Sequence, residues 1–190
     1  MLREEIFSMI EANPIIPAVK DDAGLMKCCR MKESSLVIIL YGSICNIGGI
    51  VRKAKENGKR CIVDLDLING LGAKPISADY LKNMTEADGV LSTKPLIVSR
   101  ASELGFWTAL RVFMLDSMAY SNVKKQVTIA HPDVIEIVPG TMPKIISKLS
   151  GTTDIPIMAS GLISDKEDVM LALQAGAIAV AATSPSVWYL

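Results

Sequence analysis

Histidine is almost missing from this chain: His131 is the only one. That removes the commonest general base and the commonest metal ligand from most positions. His131 itself is expected at a helix C-terminus, where it suits the helix dipole and needs no catalytic role. The four cysteines, Cys28, Cys29, Cys45 and Cys61, contain no C-x-x-C pair. With one histidine to help them, no zinc site is expected, and no other metal or cofactor is called for. Reduced, buried thiols in a cytoplasmic protein are the expectation. No apolar run is long enough to span a membrane. Residues 1–10 carry acids and lack a long apolar core, so no signal peptide is predicted. Lys plus Arg and Asp plus Glu both number 20, so there is no net charge. That excludes a generally basic nucleic-acid binder but not a local basic face.

Half of the 190 residues are hydrophobic, enough to build one real core, so a single domain over 1–190 is predicted. Eight short apolar runs occur at 15–19, 36–41, 61–66, 89–92, 107–115, 134–138, 156–159 and 177–182. Amphipathic patterns separate them at 23–32, 48–57, 78–86, 97–104, 118–130, 142–149 and 166–175. Such alternation predicts a parallel sheet covered by helices. Eight units predict an α/β fold closed as a small (β/α)8 TIM barrel, with an open flavodoxin-like sheet as the alternative. After the eighth run only six residues remain, so a stub of helix is expected to begin near Pro185.

In a barrel of this kind, ligands bind at the C-terminal ends of the strands. Ser160, Gly161 and Leu162 follow the seventh run, and Thr183 and Ser184 follow the eighth. Glycine lets backbone amides approach an anion closely, so these five residues form a candidate phosphate site, flanked by Gly140. The plain alternative is a tight turn. Asp64 and Asp66 end the third run. They are candidates for holding hydroxyls, for acid–base work or for Mg²⁺, against simple loop capping. Glu136 lies inside an apolar run and must be solvated, paired or ligand-bound, since an unpaired buried carboxylate is costly. Arg111 is similarly placed and Lys94 follows the fourth run. A buried Glu136–Arg111 pair and ligand contact are both open.

Residues 20–60 hold nine Lys/Arg against four Asp/Glu. Arg52, Lys53, Lys55, Lys59 and Arg60 fall on the second predicted helix and its exit, beside Lys27, Arg30 and Lys32 on the first. They are a candidate RNA-binding face, against an ordinary solvated surface.

Four stretches resemble the glycerol uptake operon antiterminator family. They are Val-Asp-Leu-Asp-Leu-Ile-Asn-Gly-Leu at 63–71, Asp-Gly-Val-Leu-Ser-Thr-Lys at 88–94, Glu-Ile-Val-Pro-Gly-Thr-Met-Pro-Lys at 136–144 and Ala-Ser-Gly-Leu-Ile at 159–163. The third is the most specific. The resemblance covers 14–188 and implies a bacterial cytoplasmic regulator rather than an enzyme, with no catalytic residues. Its implied ligand is glycerol 3-phosphate and its implied partner the leader mRNA of a glycerol-utilisation operon; a homo-oligomer is left open. The phosphate is then expected on Ser160, Gly161, Leu162, Thr183 and Ser184. The hydroxyls are expected near Asp64, Asp66 or Glu136, with Lys94 and Arg111 supplying positive charge. The rival reading is a phosphate-binding barrel enzyme, an isomerase, synthase or lyase acting on a small sugar phosphate. A metal-dependent phosphodiesterase using the carboxylates is a third.

Overall fold

Runs rich in Ile, Val and Leu favour a pleated conformation whose two faces are both covered. In the computed structural model, which describes residues 2–190, eight such runs form parallel strands. They are β1 (Ile15–Val19), β2 (Leu36–Ile39), β3 (Arg60–Asp64), β4 (Gly89–Ser92), β5 (Trp107–Phe113), β6 (Val134–Val138), β7 (Ile157–Ser160) and β8 (Ala177–Ala182). Each pairs with the next, and β8 pairs with β1 through Ile16↔Ala181, so the sheet closes into a barrel. The helices are α1 (Leu2–Ala12), α2 (Asp22–Arg30), α3 (Ile47–Glu56), α4 (Ile76–Met84), α5 (Pro95–Glu103), α6 (Ser117–Ala130), α7 (Pro143–Ser150) and α8 (Lys166–Gln174). Among the described residues no helix is long and apolar enough to cross a membrane.

Alternation along the strands divides the core. Leu36 and Ile38 point into the barrel, while Val37 and Ile39 pack under the helices. Inside, Trp107, Ile62, Leu91, Val134 and Met158 fill the lower and middle layers. Small residues, Ala18, Ala109, Ala179 and Ala181, share that interior. Ala18 and Ala181 line a cavity at the C-terminal mouth, where short side chains leave space.

Two local expectations are corrected. The third strand stops at Asp64 and not Asp66, because the Asp64 carboxylate accepts the Asp66 amide at 3.1 Å and turns the chain into a 3-10 turn, Leu65–Leu67. No helix follows β8: 185–189 is a turn, pinned by the buried indole of Trp188, which donates to the Ala182 carbonyl at 2.7 Å. No helix N-terminus therefore aims at the mouth from that side.

Helix α1 was not foreseen. It closes the N-terminal end of the barrel. Ile6 and Ile10 are buried in the barrel-interior cluster, and Phe7 meets Trp107 edge-on with ring centroids 6.4 Å apart. Arg3 pairs with Asp133 at 2.9 Å, and Glu5 accepts from Arg60. Asp21, Asp116 and Asp165 cap α2, α6 and α8 by accepting amides one turn in. His131 caps α6 at the opposite end in a left-handed conformation, exposed and away from the mouth.

Candidate functional site

Strand alternation that sends Trp107 and Ala109 into the barrel also sends Arg111 and Phe113 there. The same parity turns Asp64 on β3, Glu136 on β6 and Ser160 on β7 toward the axis. Arg111 and Glu136 are register partners across β5 and β6. The Arg111 guanidinium donates through Nε to Glu136 Oε2 at 2.5 Å and through Nη1 to Asp64 Oδ2 at 2.5 Å. The Ser160 hydroxyl donates to Glu136 Oε1 at 2.7 Å. Two buried carboxylates thus share one arginine, and the ionised cluster carries one negative charge. The buried Glu136–Arg111 pair exists, and both partners also line the cavity.

Burial dominates at Asp64 and pushes its carboxyl up to about 6; Arg111 opposes this, while Glu136 and Asp66 add to it. Burial alone would lower Arg111, but Glu136 and Asp64 outweigh it and raise its pKa.

Above this cluster lies a cavity of about 170 Å³, suited to a small metabolite rather than a drug-sized ligand. It gathers Arg111, Glu136, Ser160, Gly161, Leu162 and Thr183 from the candidate residues. Phe113, Val138, Ile163 and Leu40 join them as apolar walls. These four were missed, although two-residue steps from Arg111 and Glu136 lead directly to Phe113 and Val138. Among the described residues, no oxygen accepts from the amides of Gly161, Leu162, Ile163, Thr183 or Ser184. Gly161 (φ 75°) and Leu162 (φ 62°) both adopt left-handed backbone, and Leu162 is 76% exposed at the rim. A bulky side chain there is strained, and such strain concentrates at functional turns. A free row of amides on such a turn is what an anion requires.

The remaining candidates sit elsewhere. Gly140 is packed behind the site: its amide donates to the Gly161 carbonyl, and a Cβ on it would meet the Ser160 nitrogen at 2.7 Å. Its role is close approach of two loops, not cavity lining. Ser184 faces an adjoining depression with Lys20 and Lys27. Asp66 accepts from Ser92, from the Thr93 amide and from the Thr93 hydroxyl, and pairs with Lys94 at 3.4 Å. Burial raises Asp66, but those hydrogen bonds and Lys94 outweigh it and hold its pKa below the usual value. Asp66 and Lys94 therefore brace the β3 and β4 loops beside the cavity. Among the described residues, no group of three or more His, Cys, Asp or Glu is placed to hold a metal ion.

The expected RNA face on α3 is largely dismantled. Lys59 is 4% exposed and donates to the carbonyls of Met31 and Ser34. Lys55 and Arg60 both bind Asp88, and Arg60 also binds Glu5. These three serve the protein's own structure, because a lysine or arginine drawn from water needs a partner. Only Arg52 and Lys53 are left on that face.

Residues 15–188 match the family model described as glycerol-3-phosphate responsive antiterminator. YgcP, an uncharacterized protein of Escherichia coli (strain K12), is 39% identical over 185 residues, covering 97% of this chain and 96% of YgcP. The crystal structure of the glycerol uptake operon antiterminator regulatory protein from Listeria monocytogenes superposes with a TM-score of 0.90 at 29% identity, covering 93% of this chain and 95% of that one. A glycerol uptake operon antiterminator-related protein from Thermotoga maritima gives 0.81 at 28% identity, covering 93% and 98%.

Proposed function

The chain belongs to the glycerol-3-phosphate responsive antiterminator family, and from that premise we propose that it senses glycerol 3-phosphate at the barrel mouth and acts on a leader mRNA of a glycerol-utilisation operon in the bacterial cytoplasm. Free amides at Gly161, Leu162, Ile163 and Thr183, all lining one small cavity, carry this reading. They receive the phosphate, with the Ser160 hydroxyl at its edge. Glu136 and Arg111, across the cavity, receive the glycerol hydroxyls. Asp64 and Ser160 hold the Arg111–Glu136 pair in place from either side.

The cluster's surplus negative charge repels an anion unless the phosphate keeps to the amide side. It therefore orients the ligand end to end. Coupling to RNA then requires that ligand and RNA favour the same loop conformation. Calorimetric titration with glycerol 3-phosphate, with glycerol and inorganic phosphate as controls, tests this reading. Selective saturable heat with the ligand recovered unchanged is expected; no binding refutes the sensor.

One observation favours a second reading. A carboxyl raised to about 6 beside a buried arginine, as at Asp64, is suited to proton transfer near neutral pH. Turnover of a triose or pentose phosphate, abolished by Asp64→Asn, would establish an enzyme.

A further inference from the structure

Asp64 is the member of the buried cluster that a ligand does not reach. Arg111, Glu136 and Ser160 line the cavity; Asp64, fully buried at the end of β3, does not. It acts on the cavity through Arg111, whose Nη1 donates to Asp64 Oδ2. Its other oxygen accepts the Asp66 amide at 3.1 Å.

Arginine is the side chain best fitted to receive a carboxylate, through two parallel N–H donors. Arg111 faces the cavity and is placed to do so for a ligand, yet its donors are already taken. Nε donates to Glu136 Oε2 at 2.5 Å, Nη2 reaches Glu136 Oε1 at 3.4 Å and Nη1 is held by Asp64 at 2.5 Å. All three nitrogens face carboxylates of the protein itself. Glu136 and Arg111 alone would balance, so Asp64 supplies the cluster's excess negative charge. The surrounding elements do not offset it. The charged groups around Asp64 are Arg111 from β5, Glu136 from β6 and Asp66 from the turn after β3. Neither β2 nor β4, which flank β3, carries an ionisable residue, and Lys94 pairs with Asp66.

We propose that Asp64 sets which phosphorylated metabolites the site accepts: polyol phosphates, whose far end offers only hydroxyls, and not hydroxy-acid phosphates, whose far end is a carboxylate. This rests on the reading of the cavity as a glycerol 3-phosphate site with the phosphate on the free amides. A hydroxyl donates to the oxygens of Glu136 without adding charge. A carboxylate in the same place is a third anion against one arginine whose donors are occupied, and such a contact selects against the ligand that makes it. Asp64 is thus a positioning residue. It works through Arg111, by holding Nη1 and by the charge it adds.

A merely structural Asp64 behaves differently. If it only fixes the β3 turn and the arginine, its loss weakens every ligand alike. Acid gives a second handle. Burial raises Asp64 to about 6, so lowering the pH from 7 to 5 removes its charge without altering the chain.

The test compares glycerol 3-phosphate with glycerate 3-phosphate, which has a carboxylate in place of the terminal CH2OH, by calorimetry at pH 7 and pH 5. The quantity read is the ratio of the two affinities. Both probes carry the same phosphate monoester, so its second ionisation, at about pH 6, cancels in the ratio. Wild type at pH 7 is expected to favour glycerol 3-phosphate by roughly a hundredfold or more. That preference should shrink several-fold at pH 5. In Asp64→Asn it should be roughly tenfold smaller at pH 7, as loss of one nearby charge implies, and equal at both pH values. A preference that Asp64→Asn leaves unchanged, with both affinities falling together, makes Asp64 structural and overturns the proposal. So does a wild-type preference equal at pH 5 and pH 7. Where Asp64→Asn does not fold, the wild-type pH series decides alone. Wild type that binds both compounds equally keeps the sensor and loses only the proposal; wild type that binds neither refutes both.

Discussion

At its N-terminal end the barrel is filled by Trp107, Ile6 and Ile10, large apolar side chains with α1 laid beneath them. At its C-terminal end the same axis is occupied by Asp64, Arg111, Glu136 and Ser160, with alanines around them and a cavity above. One end gains stability from burying hydrocarbon. The other buries two carboxylates and an arginine, an arrangement that seldom stabilises relative to an apolar filling of the same shape. The contrast teaches that packing stability alone does not account for the polar end.

Removing the shared arginine should break this comparison most severely. Arg111→Ala leaves two buried carboxylates unpaired and should cost about 3–5 kcal/mol, with glycerol 3-phosphate binding lost. Urea denaturation and calorimetry measure both. The sharper version replaces the whole cluster: Asp64→Leu/Arg111→Met/Glu136→Leu should recover most of that stability yet bind no ligand. If the triple variant stays as unstable as Arg111→Ala, the polar end is structural after all.

At the other end, Trp107→Ala should cost about 3–5 kcal/mol through the cavity it leaves. Ligand affinity, measured well below the melting point, should change less than twofold. A matching fall in affinity would show that the ends are not independent.

The smallest effect concerns pH. Burial raises Asp64 to about 6 from 3.8, so its ionised form opposes folding. That unfavourable contribution is complete above pH 6 and is relieved as pH falls from 6 toward 4, where the folded state binds the proton more readily than the unfolded chain. Asp66 and Asp168 are lowered in the fold, so the stability they add is lost only as pH falls below 4. Wild type should therefore lose less stability between pH 7 and pH 5 than Asp64→Asn, read as the difference in urea midpoints. Identical pH profiles would show that Asp64 is not desolvated as its surroundings require.

Much of this was legible in the sequence because both signals are local. Eight near-continuous apolar runs separated by amphipathic helices predicted a barrel, and in the folded sheet the alternation of side chains carries Arg111, Glu136 and Ser160 to its axis. Gly161 marked the turn that only a residue at ease with positive φ takes readily. What escaped depends on distance in the chain. Lys55, Lys59 and Arg60 read as a basic face, yet each is engaged by a residue 25 or more positions away: Lys55 and Arg60 by the Asp88 carboxylate, Lys59 by the Ser34 carbonyl. Periodicity says nothing about such partners. Helix α1 was within reach, since Leu2, Ile6 and Ile10 recur at helical spacing. The turn after β8 depends on one tertiary bond, from Trp188 to Ala182, that no local pattern announces.

Helix α1 leaves the ribosome before every strand, yet the ring it closes is incomplete until β8 has emerged and paired with β1. Until then its apolar stripe, Ile6 and Ile10 with Phe7 beside them, has no completed barrel floor to cover. During synthesis this segment is the one most in need of shielding, and the nascent chain is most exposed to wrong association in the interval before the last strand arrives.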